Sequence, residues 1–532
     1  MRRWNGWGDE SNMMDLPQSG KDMIRAFVGE GTPLPDADLA SVIAKVPTSR
    51  LAEHVLLDLS PEVRVRHARG QSFPDWLAMR SGQFDVFPDA VAFPETSEQV
   101  QELIQLAKER DAIVIPYGGG TSVAGHITPQ QSDKPIITVA LTRMNKLLDL
   151  DTESQIATFG AGANGPELEA QLLAKGYVLG HFPQSWELST VGGWVVTRSS
   201  GQQSLRYGRI EQMFAGGRME TPVGTMEIPT IPASSAGPDL REMVMGSEGR
   251  MGIVTEVKIR VTPLPEVQTF HAVFLPNWEQ ACKAVQEVVQ TKIPLSMLRV
   301  SNQLETYTGM RISVDEKQIG MLDKTLAVLG AGEKKNMVTF GLTGTKAQVK
   351  ANKRQAMKIL KSYGAVKFLD KMLGNKWEHG RFRFPYLRHP LWDMGYSVDT
   401  FETAVDWSKL KDYVADAETS VRAALADEGE KVHAFTHLSH LYPQGSSAYT
   451  TYFFRTAGTY EETLQRWKKI KKIACDVVVK HGGTISHQHG VGRDHAPYMP
   501  AEKGALGMSA IRNMVEHFDP DKRMNPGVLL ED

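Results

Sequence analysis

The stretch PYGGGTSVAG (116–125) sets three successive glycines, Gly118, Gly119 and Gly120, behind a short apolar run, AIVI (112–115). Glycine lets backbone turn sharply and come close to a ligand, so a buried strand that ends this way aims several N–H groups at one anion. Thr121 and Ser122 add hydroxyls at the rim. The pattern reads as a cradle for a diphosphate. It lacks the GK[ST] ending of a nucleoside-triphosphate loop and does not fit the G-x-G-x-x-G dinucleotide spacing. Taken alone, it could also be a plain glycine-rich connection.

Two further clusters narrow the choice. STVGGWVVTRSSG (189–201) puts Gly192 and Gly193 beside the hydroxyls of Ser189, Thr190 and Thr197, and MGSEGRMGIVTEVKIRV (245–261) places Gly246, Gly249 and Gly252 just before an alternating strand. Each could be only a turn. Three in this order, spaced along one domain, specify much more.

Around them the grammar is strand, helix, strand, glycine loop. Ser97 precedes a run with Val100, Leu103, Ile104 and Ala107 on one helical face. IITVAL, SQIATFGAG and GIVTEVKIRV read as strands, with GPELEAQLLAKG a helix carrying Pro166 in its first turn. Short helices mixed with alternating strands indicate an α+β fold and not a repeating doubly wound sheet. The proline-rich VTPLPEVQ marks a boundary, and beyond it TFHAVFLPNWEQACKAVQEVVQ opens a second α+β unit. EETLQRWKKIKKIACDVVVKHGG is a strong amphipathic helix, followed by SHQHGVGRDH (486–495) and a closing helix. The expected division is a peripheral N-terminal helical extension over 1–80, a nucleotide-holding domain over 81–265, a cap domain over 266–460 and a C-terminal helical segment over 461–532.

A chain of 532 residues has room for more than one core. Its formal net charge of -2 gives no support for a nucleic-acid surface. Two cysteines, Cys282 and Cys475, are too few for a disulfide framework or a thiolate metal site and suit a reducing, cytoplasmic compartment. No apolar run approaches a membrane span, and MRRWNGWGDE has no apolar core of a signal peptide.

The three glycine segments resemble the FAD-binding segments of the vanillyl-alcohol-oxidase and p-cresol-methylhydroxylase superfamily. Within it RWNGWGDE, STVGGWV, FETAVDW and SHQHGVGR are most similar to the alkyldihydroxyacetonephosphate synthases of ether-lipid biosynthesis and their bacterial FAD-binding oxidoreductase relatives. The resemblance implies a two-subdomain PCMH-type FAD-binding domain with an α+β cap, the flavin lying between them, and noncovalent FAD. It implies as flavin positions Pro116, Tyr117, Gly118, Gly119, Gly120, Thr121 and Ser122, then Gln184, Ser185, Thr190, Gly193, Thr197 and Ser200, then Glu248, Gly252, Ile253 and Val254. Gln184 stands where the synthases have aspartate. His126, just after the first loop, invites a covalent reading that the synthases do not follow.

His487 and His489 fall on one face if their segment is extended, and imidazoles that titrate near neutrality suit proton transfer or anion binding. They match two positions of the synthases' triple-histidine motif, with Gln488 in the middle. Tyr449 matches an active-site tyrosine, with Tyr452 as rival, Thr400 stands for a serine, and Arg299 and Arg388 match two arginines near the substrate. His437 and His440 could join His487 and His489 in a four-imidazole metal site, as in related hydroxy-acid dehydrogenases. Those bring a glutamate where this chain has Gln488, so no metal is expected.

The resemblance implies an FAD-dependent transferase that exchanges the acyl group of acyl-dihydroxyacetone phosphate for a fatty alcohol through flavin N5, with no net redox change. The alternative is an FAD-dependent oxidoreductase of a 2-hydroxy acid or related alcohol. A lipid-like, phosphorylated small molecule is the expected partner, and peripheral membrane contact and a homodimer are both compatible with it.

Overall fold

Alternating β-branched and aromatic runs become strands, and the computed structural model, which describes residues 1–313 and 316–531, gathers them mainly into three sheets. The first holds β1 (Leu57–Asp58), β2 (Ala90–Ala92), β3 (Ile113–Tyr117) and β4 (Ile136–Ala140) in the order β1-β2-β4-β3, with β4 parallel to both β2 and β3. The helix Ser97–Glu109 makes the crossover, burying Val100, Leu103, Ile104 and Ala107. Its cap is Thr96, whose side chain accepts from the Gln99 amide, and not Ser97, which lies inside the first turn. Burial of its parallel part explains why β2, β3 and β4 are almost continuously apolar.

Next come β5 (Leu147–Asp151), β6 (Ile156–Gly160), β7 (Tyr177–Val178), β8 (Phe214–Thr221), β9 (Gly224–Ile228), β10 (Ile253–Arg260) and β11 (Thr262–Pro263). Five form an antiparallel sheet in the order β5-β6-β10-β8-β9, while β7 and β11 make a small ribbon. The first glycine loop leaves the end of β3 and the third cluster enters β10, so both converge where these sheets meet.

The third sheet contains β12 (Val267–Leu275), β13 (Met297–Ser301), β14 (Asn336–Gly344), β15 (Tyr396–Asp406), β16 (His433–Leu438) and β17 (Gly445–Arg455), ordered β12-β14-β13-β16-β17-β15. Register decides what its inner face presents. Tyr449 pairs with Glu402 on β15 and with His437 on β16, and Ser301 pairs with His437. Side chains alternate along a strand, so Thr400, Glu402, Tyr449, His437 and Arg299 all share one face.

The helix Tyr460–Lys480 forms as its pattern predicts, while the closing helix Met499–Phe518 is broken at Gly504, where φ is +66°. The chain then returns to the first sheet, with the Asn525 amide donating to Val114 O at 2.9 Å. Among the described residues no helix is long and apolar enough to cross a membrane.

Candidate active site

One long cavity runs from the first glycine loop to the inner face of the third sheet. Its end at the first glycine loop explains the glycines. A Cβ on Gly119 would lie 1.7 Å from Leu188 O, one on Gly118 would lie 2.4 Å from Thr190 Oγ1, and Gly120 has φ +66°. The loop at 116–122 is thus packed against the second cluster more closely than any side chain allows. Among the described residues, no protein acceptor meets the amides of residues 118 to 122. A buried loop with that many free donors fits a diphosphate.

The second and third clusters supply the walls. Thr190 caps the helix Val191–Val196 through the Gly193 amide, Thr197 Oγ1 donates to Gly193 O at 2.8 Å, and Trp194 Nε1 donates to Ser189 Oγ at 2.7 Å. Gly252 passes so near β8 that a Cβ would meet Glu220 O at 2.3 Å. Glu248, at φ +52°, accepts from the amides of Val491 and Gly492 at 2.6 and 2.7 Å and so anchors the histidine segment to the third cluster. Asn525 Nδ2 donates to both His126 O and Glu248 O, at 3.0 and 2.9 Å. Of the positions expected to hold flavin, residues 116 to 122, Gln184, Ser185, Thr190, Gly193, Thr197, Glu248, Gly252, Ile253 and Val254 line the cavity. Ser200 does not; its hydroxyl meets His440 Nδ1 at 3.2 Å. His126 also lines it, its ring held between Ser122 Oγ at 2.6 Å and Glu248 Oε2 at 3.1 Å.

At the other end Arg388, Thr400, Tyr449, Gln488 and His489 face the cavity. Tyr449 OH donates to Thr400 Oγ1 at 3.0 Å, its ring stacks on His437 at 4.8 Å, and His489 stands edge-on to it at 5.7 Å. Burial pushes the Tyr449 phenol up and the His489 imidazole down, so both are neutral near pH 7. Tyr452 lies on the opposite face, fully buried, its hydroxyl 3.3 Å from Asp399. It is core.

Arg299 and Arg388 part company. Arg299 Nη2 donates to Glu305 Oε1 at 2.5 Å and also meets His437 Nδ1 at 3.1 Å, and it does not line the cavity. Arg388 lies over the Trp76 ring at 4.3 Å and gives Nη1 to Gln71 O at 2.8 Å, while its Nη2 has no partner among the described residues. Burial brings its pKa down to about 10, still fully charged at neutral pH.

The two motif histidines also separate. Residues 485 to 490 form bends and not a strand, so His489 faces the cavity while His487 turns behind it. There Glu402, His440 and His487 bring candidate ligand atoms within 4.8 Å of one another, a different set from the four imidazoles weighed and set aside as a metal site. Arg209 decides its chemistry. Its Nη1 lies 2.6 Å from His487 Nε2, beside Tyr442 OH at 2.7 Å. A guanidinium only donates, so Nε2 carries the lone pair and the proton sits on Nδ1, 3.3 Å from Glu402 Oε1. A ring proton facing the carboxylate leaves that nitrogen no lone pair for a cation. The cluster is a carboxylate–imidazole dyad. Although burial opposes ionisation, the neighbouring His487 ring holds the Glu402 carboxyl well below its ordinary range, and burial pulls His440 down.

Glu402, Arg209, Tyr442 and Asn525 carry no candidate role from their sequence pattern. FETAVDW was the available signal for Glu402, but its partner His487 lies on another segment. The N-terminal stretch is not peripheral: Trp7 and Gln71 line the cavity and Arg2 Nη2 donates to Gly119 O at 2.5 Å.

The donor loop, the walls and the neutral acid–base groups at the far end define an FAD-dependent enzyme. Residues 88–228 match the family described as FAD binding domain, and residues 264–529 match FAD linked oxidases, C-terminal domain. The alkyldihydroxyacetonephosphate synthase of Dictyostelium discoideum is 30% identical over 99% of this chain and 93% of its own length. A solved alkyldihydroxyacetonephosphate synthase covers 99% of this chain and 98% of that one at 27% identity, with a TM-score of 0.85. p-Cresol methylhydroxylase with substrate bound shares the fold at 15% identity, covering 97% of this chain and 98% of that one, with a TM-score of 0.67. The chain belongs to the FAD-linked oxidase family and, within it, to the group of the alkyldihydroxyacetonephosphate synthases.

Proposed function

We propose that this enzyme exchanges the acyl group of an acyl-dihydroxyacetone phosphate for a fatty alcohol, giving the alkyl ether and a free fatty acid. The observation that carries the reading is the placing of a guanidinium with a free Nη2, Arg388, in one chamber with the Tyr449–Thr400 pair and neutral His489. Bound FAD supplies the ring system at which the carbon–oxygen bond is exchanged, with no electron acceptor required. Residues 118 to 122 offer their amides to its diphosphate, and attachment is noncovalent, as the resemblance to the synthases implies.

Arg388 takes the phosphate, because Arg299 is already neutralised by Glu305. His489 is uncharged and so able to accept a proton from the incoming alcohol, and the Tyr449 phenol, held by Thr400, donates toward the departing carboxylate. The Glu402–His487 dyad stiffens the bend that presents His489. Its proton does not reach the cavity, since His487 does not line it. A long-chain alcohol would bring the enzyme to a membrane surface by peripheral contact, and the two free cysteines suit the cytosol.

The test is spectroscopic. Under anaerobic conditions, the FAD-loaded enzyme keeps its oxidised flavin absorbance when mixed with D-lactate or glycolate in excess. Rapid bleaching by either hydroxy acid would overturn the transferase reading in favour of an oxidoreductase.

A further inference from the structure

The segment WNGWG (4–8) lies flat on the stretch that carries Arg388, and its two glycines are the reason. A Cβ on Gly6 would meet His389 Cε1 at 2.4 Å, and one on Gly8, where φ is +77°, would meet Tyr386 at the same distance. Between them Trp7 is 4% exposed, with its carbonyl 3.1 Å from His389 Nε2. Its indole Nε1 is buried and has no partner among the described residues. Gln71 links this strap to Arg388: its Nε2 donates to Gly6 O at 3.3 Å and its main-chain O accepts from Arg388 Nη1 at 2.8 Å. Gln71 Oε1 and Arg388 Nη2 are likewise buried without a partner.

Three unmatched polar atoms on three neighbouring, cavity-lining residues are too costly to be accidental, since an unmet buried donor or acceptor costs on the order of 1–3 kcal/mol. We propose that Trp7, Gln71 and Arg388 form the subsite for the oxyanion head group of the substrate. The indole N–H and the guanidinium N–H donate to two of its oxygens, and the Gln71 amide oxygen accepts from the P–OH of the singly protonated phosphate. The site is built jointly by the N-terminal strap and the cap, so the strap is part of the binding surface. The identity of the head group as a phosphate ester rests on the function proposed above; its negative charge does not.

The experiment is calorimetric titration of FAD-loaded wild-type, Trp7→Phe and Gln71→Leu protein with glycerol 3-phosphate and, separately, D-lactate. Trp7→Phe keeps the ring and removes only the donor. The proposal expects glycerol 3-phosphate to bind about tenfold or more weakly to Trp7→Phe, the loss typical of one hydrogen bond to a charged group. Gln71→Leu should lose affinity for glycerol 3-phosphate and for inorganic phosphate alike. Flavin affinity, read by fluorescence, should stay within twofold in both. Wild-type affinity for glycerol 3-phosphate in Trp7→Phe, or an equal loss of FAD affinity, overturns the subsite. Trp7-dependent binding of D-lactate with no binding of the phosphate ester supports the subsite and contradicts the synthase reading.

Discussion

Gly119 shows how a single position can announce a function. The 1.7 Å approach of its would-be Cβ to Leu188 O is a clash with backbone that no rotamer relieves, so Gly119→Ala should yield protein that folds yet purifies colourless. Flavin absorbance checks this, and a normal flavin content would contradict it. That demand for bare backbone is legible in sequence because only glycine meets it. The histidines are different. Nothing local tells His487 from His489; the division comes from Arg209, 278 positions away, and from Glu402 on another strand. If the Glu402–His487 dyad holds the bend, Glu402→Gln should lower kcat by about a hundredfold, the usual scale for disturbing acid–base machinery, with FAD affinity unchanged. Steady-state kinetics beside a flavin titration decide the point, and an unchanged kcat would remove the dyad from the mechanism.

Among elements, strands and long helices follow their periodicity closely, the amphipathic helix Tyr460–Lys480 being the clearest case. What periodicity does not carry is register. The opposition of Tyr449 to both Glu402 and His437 puts the acid–base groups on one face, and it is fixed by a central strand flanked on both sides. β17 is buried along nearly its whole length, so alternation gives no hint of which face meets ligand. The N-terminal strap was equally hidden, for WNGWG reads as a loose end until the surfaces of His389 and Tyr386 are in place. The C-terminal return is a third long-range feature. Asn525, at φ +45°, joins the first and third glycine clusters through two carbonyls, so Asn525→Ala forfeits two buried hydrogen bonds and a residue type suited to that conformation. A loss of about 2–4 kcal/mol is expected, together with weaker FAD binding. Urea denaturation of the apo and loaded forms measures both, and an unaltered midpoint would show the link to be idle.

Across the whole molecule many histidines are held neutral by burial, and three of them suffice by themselves to set a pH dependence. Burial takes His181, His389 and His433 each down to about 3, from an ordinary value near 6.5. The unfolded chain therefore binds protons that the folded one refuses. Stability from these groups is fully present above pH 6.5 and is lost as pH falls below it. At pH 5.5 each should have forfeited about 1.4 kcal/mol, so roughly 4 kcal/mol separates pH 7.5 from pH 5.5. Denaturant midpoints at the two values test this, and His181→Phe should shrink the difference; equal midpoints would contradict it. The division of labour at this scale is simple. On the proposed reading the first two sheets and their glycine loops hold the cofactor, the third sheet presents the reacting groups, and both termini cross back to seal the junction. The central claim, exchange of an acyl for an alkyl group without net oxidation, is tested most directly by incubating the FAD-loaded enzyme with palmitoyl-dihydroxyacetone phosphate and radiolabelled hexadecanol under anaerobic conditions with no acceptor. The account predicts labelled hexadecyl-dihydroxyacetone phosphate and palmitate in equal amounts over many turnovers; no labelled ether, or turnover only when an electron acceptor is added, would contradict it.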